Sequence, residues 1–426
     1  MRKLLTLLFL ANAAFAADTI VAIKAARLVD GTGAAPIANA VVIVTNNTIT
    51  SSGSNIPIPA SARVIDLGDA TLMPGFIDAH THLVGRTLGE PGWNDSAVRD
   101  YDGYIAIRAV PNAEATLLAG ITTVRNVGAP AFDDIALRQA IDEGFVRGPR
   151  MQTAGHAIGI TGGHCDDNGF KPGLLDRGPR DGVANGVEEV RAAVRNQVKY
   201  GADVIKVCAT GGVLSEGDAV GATQYSFEEL KALVDEAHKL DRRVAAHAHG
   251  TEGIKLAIRA GVTSIEHGSF MDEEAAKMMA ERGTFYVPTL YAGETVEKAA
   301  KSGVLKGQRA DKALAAAAAL RNAIKLAIAN HVTIAMGTDA GVEPHGTNMR
   351  EVELYVEWGG MTPLQAITTA TLNGAKLLGW DKRIGTIANG KLADLIAVPG
   401  DITSDIHKLE RVSFVMKNGV VIKQQP

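Results

Sequence analysis

Two histidines that end an apolar run are the first residues of the chain with clear chemical potential. The run is PGFIDAHTH, residues 74–82, and it contains His80 and His82. Alternate side chains of a β-strand share a face, so the two imidazoles would point together and could bind one metal ion. A His-x-His pair is weak support by itself, because most such pairs are surface or core imidazoles that bind nothing. The other ligands must come from elsewhere in the chain.

A lysine lies inside the otherwise apolar run VIKVC, residues 204–208. A buried ammonium group is costly unless its charge is paired or removed. One interpretation of Lys206 is an ion pair with a neighbouring acidic residue, or a side chain that reaches the edge of the core. The other is that CO2 converts the amine to a carbamate, whose oxygens would bridge two metal ions. The residues alone leave both interpretations open.

Three later strand-like segments also end in possible metal ligands, each with a glycine close behind. The ligands are His247, His267 and Asp339. Each has an ordinary explanation, either a core histidine or an aspartate that caps a helix. The coincidence of all the segments, in order and at regular intervals, favours one metal site instead. His249 lies two residues after His247, so it would point to the same face of the strand and is a rival ligand.

Eight strand-like runs, with helical patterns between them, would position these ligands. The runs cover residues 75–80, 122–127, 151–154, 204–208, 243–247, 264–267, 285–287 and 333–336. This alternation is typical of repeated βα units and predicts an α/β fold, a (β/α)₈ TIM-like barrel over residues 74–378. Ser226 and Glu229 predict a capping box at the start of one helix. The stretches 85–103 and 166–186 would be long loops over the face that carries the chemistry.

Both ends of the chain read as short β-strands separated by Gly, Asn and Pro turns. Residues 17–73 and 379–426 would together form one small β-sandwich domain. The pair Asn418-Gly419, between two β-branched runs, predicts a hairpin turn. The barrel would therefore be inserted between the two parts of this domain.

The N-terminus resembles a secretory signal peptide over residues 1–16. Met1-Arg2-Lys3 precedes an apolar run, and Ala14-Phe15-Ala16 provides small residues for cleavage near Ala16. The apolar run is too short to span a bilayer, so we expect no membrane anchor. The prediction is an exported protein, periplasmic or secreted.

The net charge limits the kinds of binding partner, and the cysteine content limits the disulfide bonds that are possible. The formal net charge is −4, with no basic cluster along the chain, so nucleic acid is not expected as a partner. Cys165 and Cys208 are too few for a disulfide scaffold. We expect two buried free thiols. One bond is the alternative, because both residues would lie near the same mouth of the barrel.

The ligand set resembles the amidohydrolase superfamily of metal-dependent hydrolases. The resemblance covers essentially the whole mature chain, including residues 385–387 and 390–395 near the C-terminus. Gly162-Gly163-His164, Tyr225-Ser226 and the run VAAHAHG, residues 244–250, narrow it further. They are similar to the branch of Xaa-Pro dipeptidases, carboxypeptidase-like imidazolonepropionase relatives and ochratoxin-hydrolysing amidohydrolases.

The resemblance implies a cofactor of two divalent metal ions. His80, His82 and Asp339 would hold the buried ion, and His247 and His267 the more exposed one. Carboxylated Lys206, carrying the CO2-derived carbamate, would bridge them. Family members that use one metal lack this lysine, so Lys206 indicates a two-metal hydrolase. Zinc is the default metal for these ligands, although manganese or cobalt would fit the same site.

The resemblance also implies a mechanism and a mode of substrate binding. A hydroxide held between the ions would attack the carbonyl. Asp339 would act as general base and pass the proton to the leaving nitrogen. His164 and Tyr225 would bind a C-terminal carboxylate of the substrate, with Arg125 and His345 as further candidates.

The predicted function is an exported binuclear amidase or carboxypeptidase that cleaves an amide bond next to a free-carboxylate amino acid. Xaa-Pro dipeptides and ochratoxin A are candidate substrates. A lactonase or phosphotriesterase with the same metal site is the alternative, and a non-catalytic scaffold is disfavoured because every expected ligand is present. We expect a homo-oligomer, since symmetric assembly is common. The roles of His156 and His249 stay open.

Overall fold

The computed structural model describes residues 18–425 and shows an α/β chain with parallel and antiparallel sheets. The predicted signal peptide, residues 1–16, lies outside the described residues. The strands are β1 Ile20–Leu28, β2 Ile37–Thr45, β3 Thr48–Ser54, β4 Arg63–Asp66, β5 Ala70–Pro74, β6 Phe76–Thr81, β7 Ile121–Asn126, β8 Arg150–Thr153, β9 Val204–Cys208, β10 Arg243–Ala248, β11 Ser264–His267, β12 Phe285–Val287, β13 Leu395–Pro399, β14 Phe414–Lys417 and β15 Val420–Gln424.

One eight-stranded sheet unites the two ends of the chain. Its order is β15-β14-β13-β5-β1-β2-β3, and β4 pairs with β1. The two ends meet where β5 pairs antiparallel with β13, which places Pro74 opposite Leu395. The hairpin of β14 and β15 turns at Asn418 and Gly419, whose positive φ angles of 50° and 74° suit the predicted Asn-Gly turn. Apolar side chains from β1, β2, β13 and β14 belong to one buried cluster.

Two parallel sheets carry the middle of the chain. Their orders are β6-β7-β8 and β12-β11-β10-β9. Isolated parallel bridges lie at the edges of these sheets and pair Ile158 with Val207, Tyr286 with Ile334, and Thr81 with Ala340. All seven strands therefore run in the same direction and end on one side of the molecule.

The predicted eighth strand, residues 333–336, is not a regular strand. It forms only the bridge at Ile334. The backbone N–H of Met336 donates to the carbonyl of Thr369, and the side chain of Asn373 donates to the carbonyl of Ile334. The turn at residues 369–373 therefore hydrogen-bonds to backbone groups of this segment that would otherwise pair with a neighbouring strand.

The helices cover the parallel strands. They are α1 Ser96–Arg99, α2 Asp102–Leu118, α3 Asp133–Asp142, α4 Gly186–Lys199, α5 Phe227–Lys239, α6 Thr251–Ala260, α7 Glu273–Arg282, α8 Leu290–Ser302, α9 Gly307–Ala329, α10 Arg350–Glu357, α11 Pro363–Thr368 and α12 Gly374–Leu378. Short 3₁₀ turns lie at Trp93–Asp95, Pro130–Phe132, Pro179–Asp181 and Ile406–Arg411, and a π turn at Thr369–Asn373. The predicted capping box of α5 is present, because Ser226 and Glu229 each accept a hydrogen bond from the other's backbone N–H. Within residues 18–425, no helix has the length and apolar character needed to cross a membrane.

Cys165 and Cys208 form a disulfide bond, with their Cα atoms 6.0 Å apart. The expectation of two free thiols was therefore wrong. The bond is possible because the chain after β8 runs beside β9. There the N–H of Ile158 donates to the carbonyl of Lys206 over 2.8 Å, and the N–H of Cys208 donates to the carbonyl of Ile158 over 2.8 Å.

Candidate metal centre and its surroundings

The predicted ligands lie together where the parallel strands end. The contributing segments are β6, β9, β10, β11 and the loop after residue 336, which carry His80, His82, Lys206, His247, His267 and Asp339. Because the carboxyl ends of parallel strands lie on one side, side chains far apart in sequence meet there. All six line one cavity with a volume of about 130 Å³.

The first ligand cluster consists of His80, His82 and Asp339. Their ligand atoms all lie within 4.8 Å of one another. Oδ1 of Asp339 is 3.3 Å from Nε2 of His80 and 3.2 Å from Nε2 of His82. Burial alone would raise the pKa of Asp339, but the two histidines hold it far below its ordinary value. The carboxylate is therefore ionised, as a metal ligand must be.

The second ligand cluster consists of His247, His249 and His267, again with ligand atoms within 4.8 Å of one another. Burial lowers the pKa of His247 and His267 well below the ordinary value, and that of His249 to about 3. Neutral imidazoles keep the lone pair that binds a metal. The structure thus places His249, the rival ligand of the sequence analysis, in the same cluster as the two predicted ligands.

Each histidine of the two clusters has one ring nitrogen occupied by a protein group. Their partners are Glu266 Oε2 for His80 (2.7 Å), Gly128 O for His82 (3.2 Å), Gly211 O for His247 (3.2 Å), Ser269 Oγ for His249 (2.7 Å) and Thr289 Oγ1 for His267 (2.8 Å). A hydrogen bond on one nitrogen fixes the ring and leaves the other nitrogen for a metal. The donor set therefore fits two divalent ions.

Lys206 is buried beside the first cluster. Its Nζ lies 3.4 Å from Nε2 of His80. Burial lowers the pKa of Lys206 to about 8, against the opposing effect of Glu266 and Asp339. A lower pKa makes the neutral amine, the form that reacts with CO2, more abundant at neutral pH.

Glu266 is a fully buried acid that was not among the site residues predicted from sequence. It lies on β11 directly before His267, and its other oxygen, Oε1, accepts a hydrogen bond from Nη2 of Arg125 over 2.8 Å. Burial would raise the pKa of Glu266, but Arg125 and His80 bring it down to about 2. A charged residue inside the short buried run SIEH was the available signal, of the same kind as Lys206.

Two of the predicted ligands have unusual backbone angles. His267 and Asp339 have φ of 66° and 74°, a left-handed conformation that is uncommon for residues other than glycine and tends to occur at functional sites. The backbone N–H of Asp339 donates to the carbonyl of His80 over 2.8 Å. Gly337 permits this close approach, since a Cβ there would lie 2.8 Å from Cβ of His80.

Of the four residues predicted to bind a substrate carboxylate, only His164 lines the cavity. Its ring stacks on that of His247, with centroids 4.1 Å apart. Burial lowers the pKa of His164 to about 4.

Of the other three predicted residues, two donate hydrogen bonds to protein groups and one lies at a different cavity. The hydroxyl of Tyr225 donates to the carbonyl of Ala184 over 2.9 Å. Arg125 donates to the carbonyl of Ala79, to Ser264 and to Glu266. His345 borders a different cavity, between α2, α8 and the 3₁₀ turn Ile406–Arg411.

Two different surfaces extend from the ligand clusters. Side chains of Val213, Leu214, Val296 and Leu320 form an apolar wall of the cavity. On the His82 side a groove of about 840 Å³ opens, and it is lined by several charged residues and by His156. An apolar group and a larger polar group could therefore both adjoin the same reacting bond.

Comparison with known proteins gives consistent similarities. Residues 71–422 match the model of the Amidohydrolase family. The chain is 35% identical to an ochratoxinase of Aspergillus niger over 94% of this chain and 86% of that protein. A solved Xaa-Pro dipeptidase with methionine bound in its active site is 40% identical, with a TM-score of 0.91 over 95% of this chain and 100% of that one. A prolidase complexed with N-methylphosphonate-L-proline is 32% identical, with a TM-score of 0.85 over 96% and 100%.

Proposed function

Since the chain belongs to the amidohydrolase family and is a hydrolase that acts on amide bonds, we propose that it cleaves the amide bond of an amino acid that has a free carboxylate. The observation that carries the proposal is the presence of two ligand clusters in one cavity, with Lys206 buried beside them. Similarity to an ochratoxinase and to an Xaa-Pro dipeptidase supports a peptide-like substrate.

In this proposal the chain holds two divalent ions. His80, His82 and Asp339 would bind one ion, and His247 and His267 the other, with the Lys206 carbamate between them. Such ions, when bound, polarise a scissile carbonyl and lower the pKa of water. Zinc is the default, and manganese or cobalt would suit the same ligands. His249 is an additional candidate ligand, because its ligand atom lies within the second cluster.

Asp339 would accept and then transfer the proton of the attacking water. Its ionised carboxylate lies in the cavity, held by His80 and His82, and can accept a proton from the attacking water. The same proton would pass to the leaving nitrogen, because an amine leaves poorly unless it is protonated.

His164 is the residue that we retain for substrate contact, because it lines the cavity. Tyr225, Arg125 and His345 would reach a substrate only after a change in conformation, since the first two donate to protein groups and the third borders another cavity. The apolar wall would receive an apolar part of the substrate. A solved relative with methionine, an amino acid with an apolar side chain, bound in its active site supports this.

We also propose that β6 to β12 and residues 333–336 close into one (β/α)₈ barrel over residues 74–378, and that residues 17–73 and 379–426 form a β-sandwich. The parallel bridges at the sheet edges support the first proposal. The apolar cluster shared by strands of both chain ends supports the second. Export after cleavage near Ala16 and assembly into a homo-oligomer remain predictions, and intact mass and light scattering would test them.

The test is release of free amino acid from a matched panel of substrates. We expect zinc-loaded protein to cleave N-acyl amino acids, Xaa-Pro dipeptides or ochratoxin A, and to cleave the C-terminal amides of the same compounds much more slowly. Chelator-treated protein is the control and should be inactive. Hydrolysis confined to lactones or phosphotriesters would overturn the amide proposal, although the metal site would stand.

A further inference from the structure

We propose that Ser215, Asp218 and Lys312 are positioning residues that keep the proton of His164 on Nδ1, so that Nε2 meets the substrate as a hydrogen-bond acceptor. Only the identity of the donor rests on the proposed function: it would be the N–H of a scissile secondary amide. The positioning itself follows from contacts behind the cavity.

A continuous chain of hydrogen bonds runs from His164 to α9. Nδ1 of His164 lies 2.9 Å from Oγ of Ser215. That hydroxyl lies 2.7 Å from Oδ1 of Asp218, and Nζ of Lys312 lies 3.0 Å from the same oxygen. The Asp218 and Lys312 side chains are only 8% and 7% exposed, so their ion pair is largely shielded from water.

The direction of these bonds fixes the proton on His164. A serine hydroxyl has a single hydrogen. Its other two neighbours are Oδ1 of Asp218 and the carbonyl of Gly212, at 3.3 Å, and both can only accept. Because the carboxylate of Asp218 is charged and is the nearest of these acceptors, Ser215 gives its hydrogen to Oδ1 and accepts a bond from Nδ1–H of His164. Asp218 is ionised in this arrangement because it is paired with Lys312.

The surroundings keep the ring from turning over. The backbone N–H of His164 donates to Oε1 of Gln224 over 3.1 Å. A Cβ at Gly212 would lie 2.1 Å from Nδ1 of His164, so only glycine leaves room for the ring there. Lys312 also donates to the carbonyl of Ser215 over 2.8 Å and thereby ties this loop to α9.

With the ring hydrogen held on Nδ1, Nε2 keeps a free lone pair. Among the described residues Nε2 of His164 has no hydrogen-bond partner, and the ring lines the cavity. A ring nitrogen without a hydrogen cannot donate to a carboxylate. The acceptor role of Nε2 therefore differs from the carboxylate-binding role that the sequence predicts for His164. An acceptor at Nε2 favours N-acyl amino acids as substrates over Xaa-Pro dipeptides, whose scissile nitrogen carries no hydrogen.

The first test is ¹⁵N NMR of the histidine rings in the zinc-loaded full-length protein, with His164→Gln to assign the signals. We expect the Nδ1–H tautomer of His164 in the wild type and in Ser215→Thr, which keeps the hydroxyl. In Ser215→Ala we expect a shift toward the Nε2–H form. An Nε2–H or doubly protonated ring in the wild type, or an unchanged pattern in Ser215→Ala, would overturn the proposal.

The second test compares kinetics on two classes of amide. Ser215→Ala should lower kcat/KM for an N-acyl amino acid by about tenfold, the loss expected for one hydrogen bond. The loss of kcat/KM for an Xaa-Pro dipeptide should be clearly smaller, and Ser215→Thr should restore the activity on the N-acyl amino acid. Equal losses on both substrates would contradict the acceptor role. If neither substrate is hydrolysed, the proposed function fails, and the NMR result still decides this inference.

Discussion

Glu266 and His80 are joined by a buried hydrogen bond, with Oε2 of the acid 2.7 Å from Nδ1 of the imidazole. Both side chains are completely shielded from solvent, and Arg125 pairs with the other oxygen of Glu266. The carboxylate therefore orients a predicted metal ligand from behind. A bond of this kind also makes Nε2 of the ring a stronger ligand.

Replacing Glu266 should weaken metal binding. We expect Glu266→Gln to lower the affinity of the first ligand cluster by about 10–100-fold, because the ring loses its charged partner. Competition titration with a chromophoric zinc chelator measures this. Glu236→Gln is the matched control, since Glu236 is a buried acid on α5 that pairs with Arg195 and belongs to none of the candidate metal-binding groups of the described residues. Equal affinities of Glu266→Gln and the control would contradict the orienting role.

Replacing Asp339 should abolish turnover and leave the fold intact. Asp339→Asn keeps the shape of the side chain but loses the negative charge that binds metal and takes up a proton. We expect kcat to fall by more than about a thousandfold, with an unchanged circular dichroism spectrum. Metal content, measured by atomic emission, separates loss of the ion from loss of the base. A nearly normal kcat would exclude both roles.

Lys206 should carry a carbamate when CO2 is present. Protein loaded with zinc in ¹³C-bicarbonate should show a carbamate ¹³C signal, because the neutral amine of Lys206 is accessible from the cavity. Lys206→Arg should lack the signal and should bind less metal, since guanidinium does not form a stable carbamate. Lys312→Arg controls for another buried lysine. A wild-type spectrum without the signal would favour the ion-pair interpretation.

The disulfide between Cys165 and Cys208 should stabilise the loop that carries His164. Thiol titration of unfolded, unreduced protein should detect no free thiols. Cys165→Ser should lower the free energy of unfolding by about 2–4 kcal/mol, because it releases the loop in the unfolded chain. The double variant with Cys208→Ser controls for a reactive leftover thiol. Detection of both thiols would show that the bond does not form under the conditions of expression.

Stability should fall with rising pH because of Glu351. Burial raises the pKa of this acid to about 8, although the N–H groups of Leu290 and Tyr291 donate to its oxygens. The stabilising contribution is complete below the unfolded value of 4.5 and is lost as the pH rises toward about 8. Glu351→Gln should therefore flatten the decline in unfolding free energy over that range, measured with urea. Asp235→Asn, an exposed change, should leave the slope as it is.

Secondary structure was predictable where local patterns were strong. The runs 204–208, 264–267 and 285–287 have the same bounds as β9, β11 and β12. The runs 204–208 and 285–287 are short and almost continuously apolar, which suits strands buried on both faces, whereas 264–267 is the buried but mostly polar run SIEH. Residues 333–336 have the same pattern but bond to the turn at Thr369–Asn373, and that contact is not visible in the local sequence.

The amino-acid sequence by itself determined the types, order and spacing of the candidate metal ligands, because strand periodicity and the common direction of parallel strands place such residues at one end. Only the tertiary structure decided which protein groups contact and orient the side chains of the site. Glu266 reaches His80 across 186 positions, Ser215 reaches His164 across 51, and the disulfide spans 43. Contacts of this kind depend on how loops and helices pack, and the same packing directs Tyr225 and Arg125 to protein partners instead of the cavity.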